Sequence, residues 1–158
     1  MTQAIIAHGM ITERSRTGAT DSFTAIPEAK GVAIPGITQD YVEATHNQSP
    51  GGFREWIKGL KDGGEIAIPC NYTSAGYAAQ ILDRNHNEPT FYRVTFPLAP
   101  GQTEPDRFAF RAWPNPSIEE SEDPGAAIAM SVNLRVTGPV EFIQSTPVNA
   151  PVSAGTGA

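Results

Sequence analysis

The sequence predicts a mainly β fold, a β-sandwich or partial barrel with one flanking α-helix and a long inter-strand loop. Three observations carry this. Ile128, Met130, Val132, Leu134 and Val136 alternate with smaller or polar residues, the period of a strand with one buried face. The 158 residues include 15 Gly and 14 Pro, which favours many turns over a helical bundle. One segment, about 74–87, has the caps and apolar spacing of a stable amphipathic helix, and a single helix needs a sheet to cover.

Taken in order, residues 1–20 lack a clean period and read as an extended N-terminal arm preceding a domain over 21–145. Short strands are expected at 22–26, 32–37 and 40–47, separated by Pro and Gly turns. Ile66, Ile68, Cys70 and Tyr72 alternate again, and Pro69 among them predicts an edge or bulged strand. Thr73 or Ser74 caps the helix, which carries Tyr77, Ala78, Ile81, Leu82 and Asn85 on one side and stops before Pro89. Two further strands show Tyr92, Val94 and Phe96, then Phe108, Phe110 and Ala112. Burying the five apolar residues of the final strand contributes about 8–15 kcal/mol gross, enough to fix its register. The tail, 146–158, is small, polar and rich in Pro and Gly, so it buries little and reads as flexible in isolation.

Residues 47–64 are too long for a hairpin loop. Bracketed by Pro50-Gly51-Gly52 and Asp62-Gly63-Gly64, they carry Phe53, Trp56, Ile57 and Leu60 with Arg54, Lys58 and Lys61. The apolar four fall at i, i+3, i+4 and i+7, which allows one or two amphipathic helical turns. Two readings stand side by side: a loop helix packed on its own core, or a set of anchors that dock on a neighbouring subunit.

Eleven Lys and Arg against 17 Asp and Glu give a net charge of −6, which argues against gripping nucleic acid or anionic lipid through phosphate neutralisation. Cys70 stands alone, so neither an intrachain disulfide nor a thiolate cluster can form. The N-terminus lacks a basic region and an apolar stretch of signal-peptide length, and no run approaches the roughly 20 apolar residues of a membrane anchor. His8, His46 and His86 are scattered, and the segment 83–88 matches no metal-binding spacing. Neither a nucleophile elbow nor a phosphate-cradling loop occurs. Glu119, Glu120, Glu122 and Asp123 form an acidic run that reads as a solvated turn, or as an electrostatic surface facing a channel or another ring. The reading is therefore of a non-enzyme without catalytic, cofactor-binding or metal-binding residues. Sequons at Asn47 and Asn71 carry no meaning without export.

The helix, then Phe91-Tyr92-Arg93-Val94-Thr95-Phe96-Pro97, then Phe108-Ala109-Phe110-Arg111-Ala112-Trp113, then Met130 through Gly138 resemble, in that order, the major tail tube proteins of lambda-type long-tailed phages. The resemblance covers roughly 74–140, and the stretch 34–45 followed by 64–68 looks similar in general pattern. The loop over 52–60 departs from lambda's more acidic one, so the family's loop contacts do not transfer residue by residue.

The resemblance implies homo-hexameric rings that stack into a tube through which genomic DNA passes without specific binding. It also implies further tail partners: tape measure, terminator and distal tail proteins. On this reading the chain is a structural virion protein assembled in the host cytoplasm. The rivals are a tail terminator, a contractile-injection-system tube protein and, from another class, a cytosolic carbohydrate-binding β-sandwich using Trp56 or Trp113 as a stacking platform.

Overall fold

The structure, a computed structural model, describes residues 4–144. Six strands form one antiparallel sheet, curled into a half-barrel, in the order β2-β1-β6-β7-β8-β5. They are β1 (Ile11–Ser15), β2 (Thr24–Ala25), β5 (Glu65–Asn71), β6 (Thr90–Thr95), β7 (Arg107–Ile118) and β8 (Ala129–Ile143). Strands β3 (Thr38–Glu43) and β4 (Trp56–Asp62) pair only with each other, as a separate two-stranded ribbon. The helix, α1 (Ser74–Arg84), returns the chain from edge strand β5 across the sheet to β6.

The alternation in 128–136 builds the centre of the fold. Met130, Val132, Leu134 and Val136 are buried against Ile68 and Cys70 of β5, Tyr92 and Val94 of β6, and Phe110 and Ala112 of β7. Ile26, with Val32, Ala33 and Ile34, closes the core from the side away from the sheet's polar face. Burial pushes the Cys70 thiol up, so the thiol stays protonated and shielded.

Prolines sit where a ladder can spare an N–H. Pro69 lies on edge strand β5, as expected, and its carbonyl accepts the Lys30 N–H at 2.8 Å. Pro114 and Pro116 lie on β7 beyond the Thr90–Ala112 pair where β6 ends, so one side of β7 is open there.

Four expectations change. Residues 11–15, read as part of an extended N-terminal arm, form an internal strand between β2 and β6. Residues 32–37 form no strand. The helix stops at Arg84, with Asn85 as C-cap, and Thr73 Oγ1 accepts the Gly76 N–H at 3.1 Å. Its buried face is Gly76, Gln80 and Asp83, whereas Leu82 is exposed. The physical reason lies in β1, whose inward side chains are polar. Arg14 forks onto Asp83, with Nη2 to Oδ1 at 2.6 Å, and Arg16 reaches Asp83 at 3.4 Å and Thr90 Oγ1 at 2.9 Å. Tyr92 Oη donates to Gln80 Oε1 at 3.2 Å, so the helix meets the sheet through a hydrogen-bonded polar layer. The tail over 146–158 lies outside the described residues.

Candidate functional site

The segment expected to be a loop with helical turns is the second half of the ribbon. β4 pairs with β3 through Thr38–Asp62, Gln39–Lys61, Tyr41–Lys58, Val42–Ile57 and Glu43–Trp56. One residue separates Gln39 from Tyr41, but two, Gly59 and Leu60, separate Lys58 from Lys61, so β4 is bulged opposite Asp40. A Cβ on Gly59 would stand 3.2 Å from Asp40 Cβ, a crowding that glycine avoids. Register partners share a face, so Tyr41, Glu43, Trp56, Lys58 and Lys61 project on one side and Val42 and Ile57 on the other. The helical spacing of Phe53, Trp56, Ile57 and Leu60 arises from apolar residues on both faces of a strand plus a bulge.

None of these four packs on the chain's own core. Phe53 is 77% exposed, Trp56 53%, Ile57 57% and Leu60 84%. Tyr41 and Val42, which the sequence reading left out of the site, are exposed beside them. A two-stranded ribbon in water is marginal at best, and both faces here carry apolar side chains that nothing covers.

Polar contacts shape the tip and root. At the tip, Ala44 N–H donates to the Glu55 carbonyl at 2.8 Å, Ser49 Oγ donates to Glu55 Oε2 at 2.7 Å, and Pro50–Gly52 forms a 3-10 turn. Arg54 approaches Glu43 at 3.9 Å, whereas Lys58 and Lys61 have no ion-pair partner among the described residues. At the root, Asp62 accepts the Gly64 N–H at 2.9 Å and meets Arg135 at 3.1 Å. That backbone N–H first, and the Arg135 guanidinium second, hold the Asp62 carboxyl below its usual range. A Cβ on Gly63 would fall 2.5 Å from Val136 Cγ1, so glycine lets the root lie flat against β8.

Glu119, Glu120, Glu122 and Asp123 lie in the exposed connection between β7 and β8. Asp123 Oδ1 caps its own turn by accepting the Gly125 N–H at 2.9 Å. The loop enters β8 at Ala129, while the ribbon root abuts β8 at Val136, where the Val136 N–H donates to the Gly64 carbonyl at 3.0 Å. Seven residues of strand, about 23 Å, separate the two. The acidic loop thus joins the start of β8, and the ribbon that carries the basic residues roots at its middle. Among the described residues no three His, Cys, Asp or Glu side chains gather as metal ligands do, and no helix is long and apolar enough to cross a membrane.

No protein-family model matches the chain, and no curated protein matches it in sequence. Solved structures do share its fold. A chain in the sheath/tube terminator of an extracellular contractile injection system, PVC, superposes with TM-score 0.67 at 13% identity, over 90% of this chain and 99% of that one. A chain of the tail of the empty GTA particle gives 0.61 at 16% identity, over 89% and 100%. The SPP1 tail tube gives 0.58 at 13%, over 92% and 82%. The fold is that of the tail tube and terminator proteins of phage-like particles.

Proposed function

We propose that the chain is a structural virion protein, the major tail tube subunit of a long-tailed, lambda-type phage. Six copies form a ring, and rings stack into the conduit for genomic DNA. The observation that carries this is the ribbon: a well-formed element of a tube-type fold that exposes Tyr41, Val42, Trp56, Ile57 and Leu60 with nothing of its own chain to cover them. Covering an apolar side chain contributes about 1.5–3 kcal/mol, so repeated copies have a strong reason to associate. Phe53, Arg54, Trp56, Ile57, Lys58, Leu60 and Lys61 are the inter-subunit residues in this reading, and Glu119, Glu120, Glu122 and Asp123 face the channel or the next ring. The GTA tail was resolved with C6 symmetry, which supports a hexamer by analogy of fold. The assembly would belong to the virion tail, built in the host cytoplasm with tape measure, terminator and distal tail proteins. DNA slides past without specific contacts.

A second reading, a terminator or the tube protein of a contractile system, is favoured by the match to the contractile injection system's sheath/tube terminator structure. Negative-stain microscopy over a concentration series separates the two. A tube protein gives tubes that lengthen with concentration, and a terminator stops at single rings. A chain that stays monomeric throughout contradicts both and returns the carbohydrate-binding module to consideration.

A further inference from the structure

Three rows of core-facing side chains run one step past the cover of the core. From β5 the row passes from Cys70 to Tyr72 just past the strand's end, on β7 from Pro116 to Ile118, and from β8 back from Met130 to Ile128 just before the strand's start. The inner residue of each row is buried, but Tyr72 is 37% exposed, Ile118 50% and Ile128 53%. The outer three lie together, because Cys70 and Ile118 are both register partners of Met130 and the Tyr72 N–H donates to the Ile128 carbonyl at 2.7 Å. They form an apolar platform at one end of the sheet. The loop from Glu119 to Ile128 starts and finishes on it, so Glu119, Glu120 and Glu122 stand at its rim without an ion-pair partner among the described residues.

From this we infer that the platform is the seat of the ribbon of a second copy, which lays its Tyr41–Trp56 face on Tyr72, Ile118 and Ile128 and sets Lys58 and Lys61 against the rim carboxylates. The inference rests on the reading that the ribbon is an assembly element and adds its receiving surface. Three features of the chain argue for it. The ribbon face that carries the unpaired lysines also carries two exposed aromatic residues, matching an apolar centre with an acidic rim. The platform lies at the start of β8 and the ribbon root at its middle, seven residues further along, so the two surfaces are distinct and the contact between copies is head-to-tail. A head-to-tail contact leaves a free ribbon at one end and a free platform at the other, which lets the assembly continue copy by copy.

Lys30, Lys58 and Lys61 are the only lysines of the chain, which makes a zero-length amine–carboxylate crosslink informative on the unaltered protein. A mixture of isotopically light and heavy chains is assembled, treated with a carbodiimide and mapped by mass spectrometry. Mixed light–heavy isopeptides joining Lys58 or Lys61 to Glu119, Glu120 or Glu122 are expected, and they should vanish at concentrations below assembly. Assemblies whose Lys58 and Lys61 link only to other carboxylates overturn the platform while leaving the ribbon's assembly role intact. A chain that never assembles overturns both. As an independent arm, Lys58→Glu with Lys61→Glu should abolish assembly and Glu119→Lys with Glu122→Lys should restore it. Failure of that rescue, with the single-sided variants folded, counts against the pairing.

Discussion

Two strand pairs in this chain share the same antiparallel ladder and end in opposite states. In β7–β8 the row Met130, Val132, Leu134 and Val136 is almost wholly buried, covered by α1 and the segment 26–34. β3–β4 also carries large apolar residues, yet Trp56, Ile57 and Leu60 stand in solvent, because among the described residues no helix or second sheet lies over either face. Strand formation is a local property of the ladder, whereas burial depends on what lies above it. A ribbon complete in its hydrogen bonds and incomplete in its cover is half of an interface.

Substitutions in the two regions should therefore read out differently. The largest effect belongs to the polar layer under the helix. Asp83→Ala removes the buried carboxylate shared by Arg14 and Arg16 and should cost about 3–5 kcal/mol in urea unfolding, since it leaves two partly buried guanidiniums short of their counter-charge. Leu134→Ala, in the core row, should cost about 2–5 kcal/mol.

Tyr92 supplies a pH test of the body alone. Burial first, and Asp83 second, push its phenol well above the ordinary value, so the folded chain holds the proton longer than the unfolded one. Its contribution is intact below about pH 10, the unfolded value, and should fall as pH rises beyond it. Tyr92→Phe, followed by circular dichroism, should flatten that alkaline decline. Smallest of all, Leu60→Ala should leave the unassembled chain's stability within about 0.5 kcal/mol of the parent while raising the concentration needed for assembly. A Leu60→Ala loss as large as that of Leu134→Ala would erase the contrast between the two regions.

The body was legible in sequence wherever one face of an element is apolar and the other polar. The rows of β6, β7 and β8 and the Thr73 cap are of that kind, and Pro69 marked the edge strand. β1 was not legible, because its inward positions are the polar Thr12 and Arg14, and Arg14 finds its partner, Asp83, only 69 residues away in sequence. The same pairing misdirected the helix face, since Gln80 and Asp83 turn inward to polar partners and leave Leu82 outside. In the ribbon, residue types announced a surface element, but apolar residues on both faces and the bulge at Gly59 and Leu60 gave a helical period. Tyr41 and Val42 escaped notice because their importance comes from pairing with Lys58 and Ile57. The platform escaped for a related reason: Tyr72, Ile118 and Ile128 become neighbours only through register.

The most direct test of the claim that the working surface lies between copies is to excise the ribbon at its root. Thr38 and Asp62 are register partners, so their Cα atoms lie about 4.5–5.5 Å apart and a two-residue Asn-Gly turn can join them. The shortened chain is predicted to remain a folded monomer with the parent's thermal midpoint and Cys70 still shielded from thiol reagents, yet to form no tubes under the microscope at any concentration. Tubes of normal appearance from that chain, or a chain that no longer folds, would contradict the account.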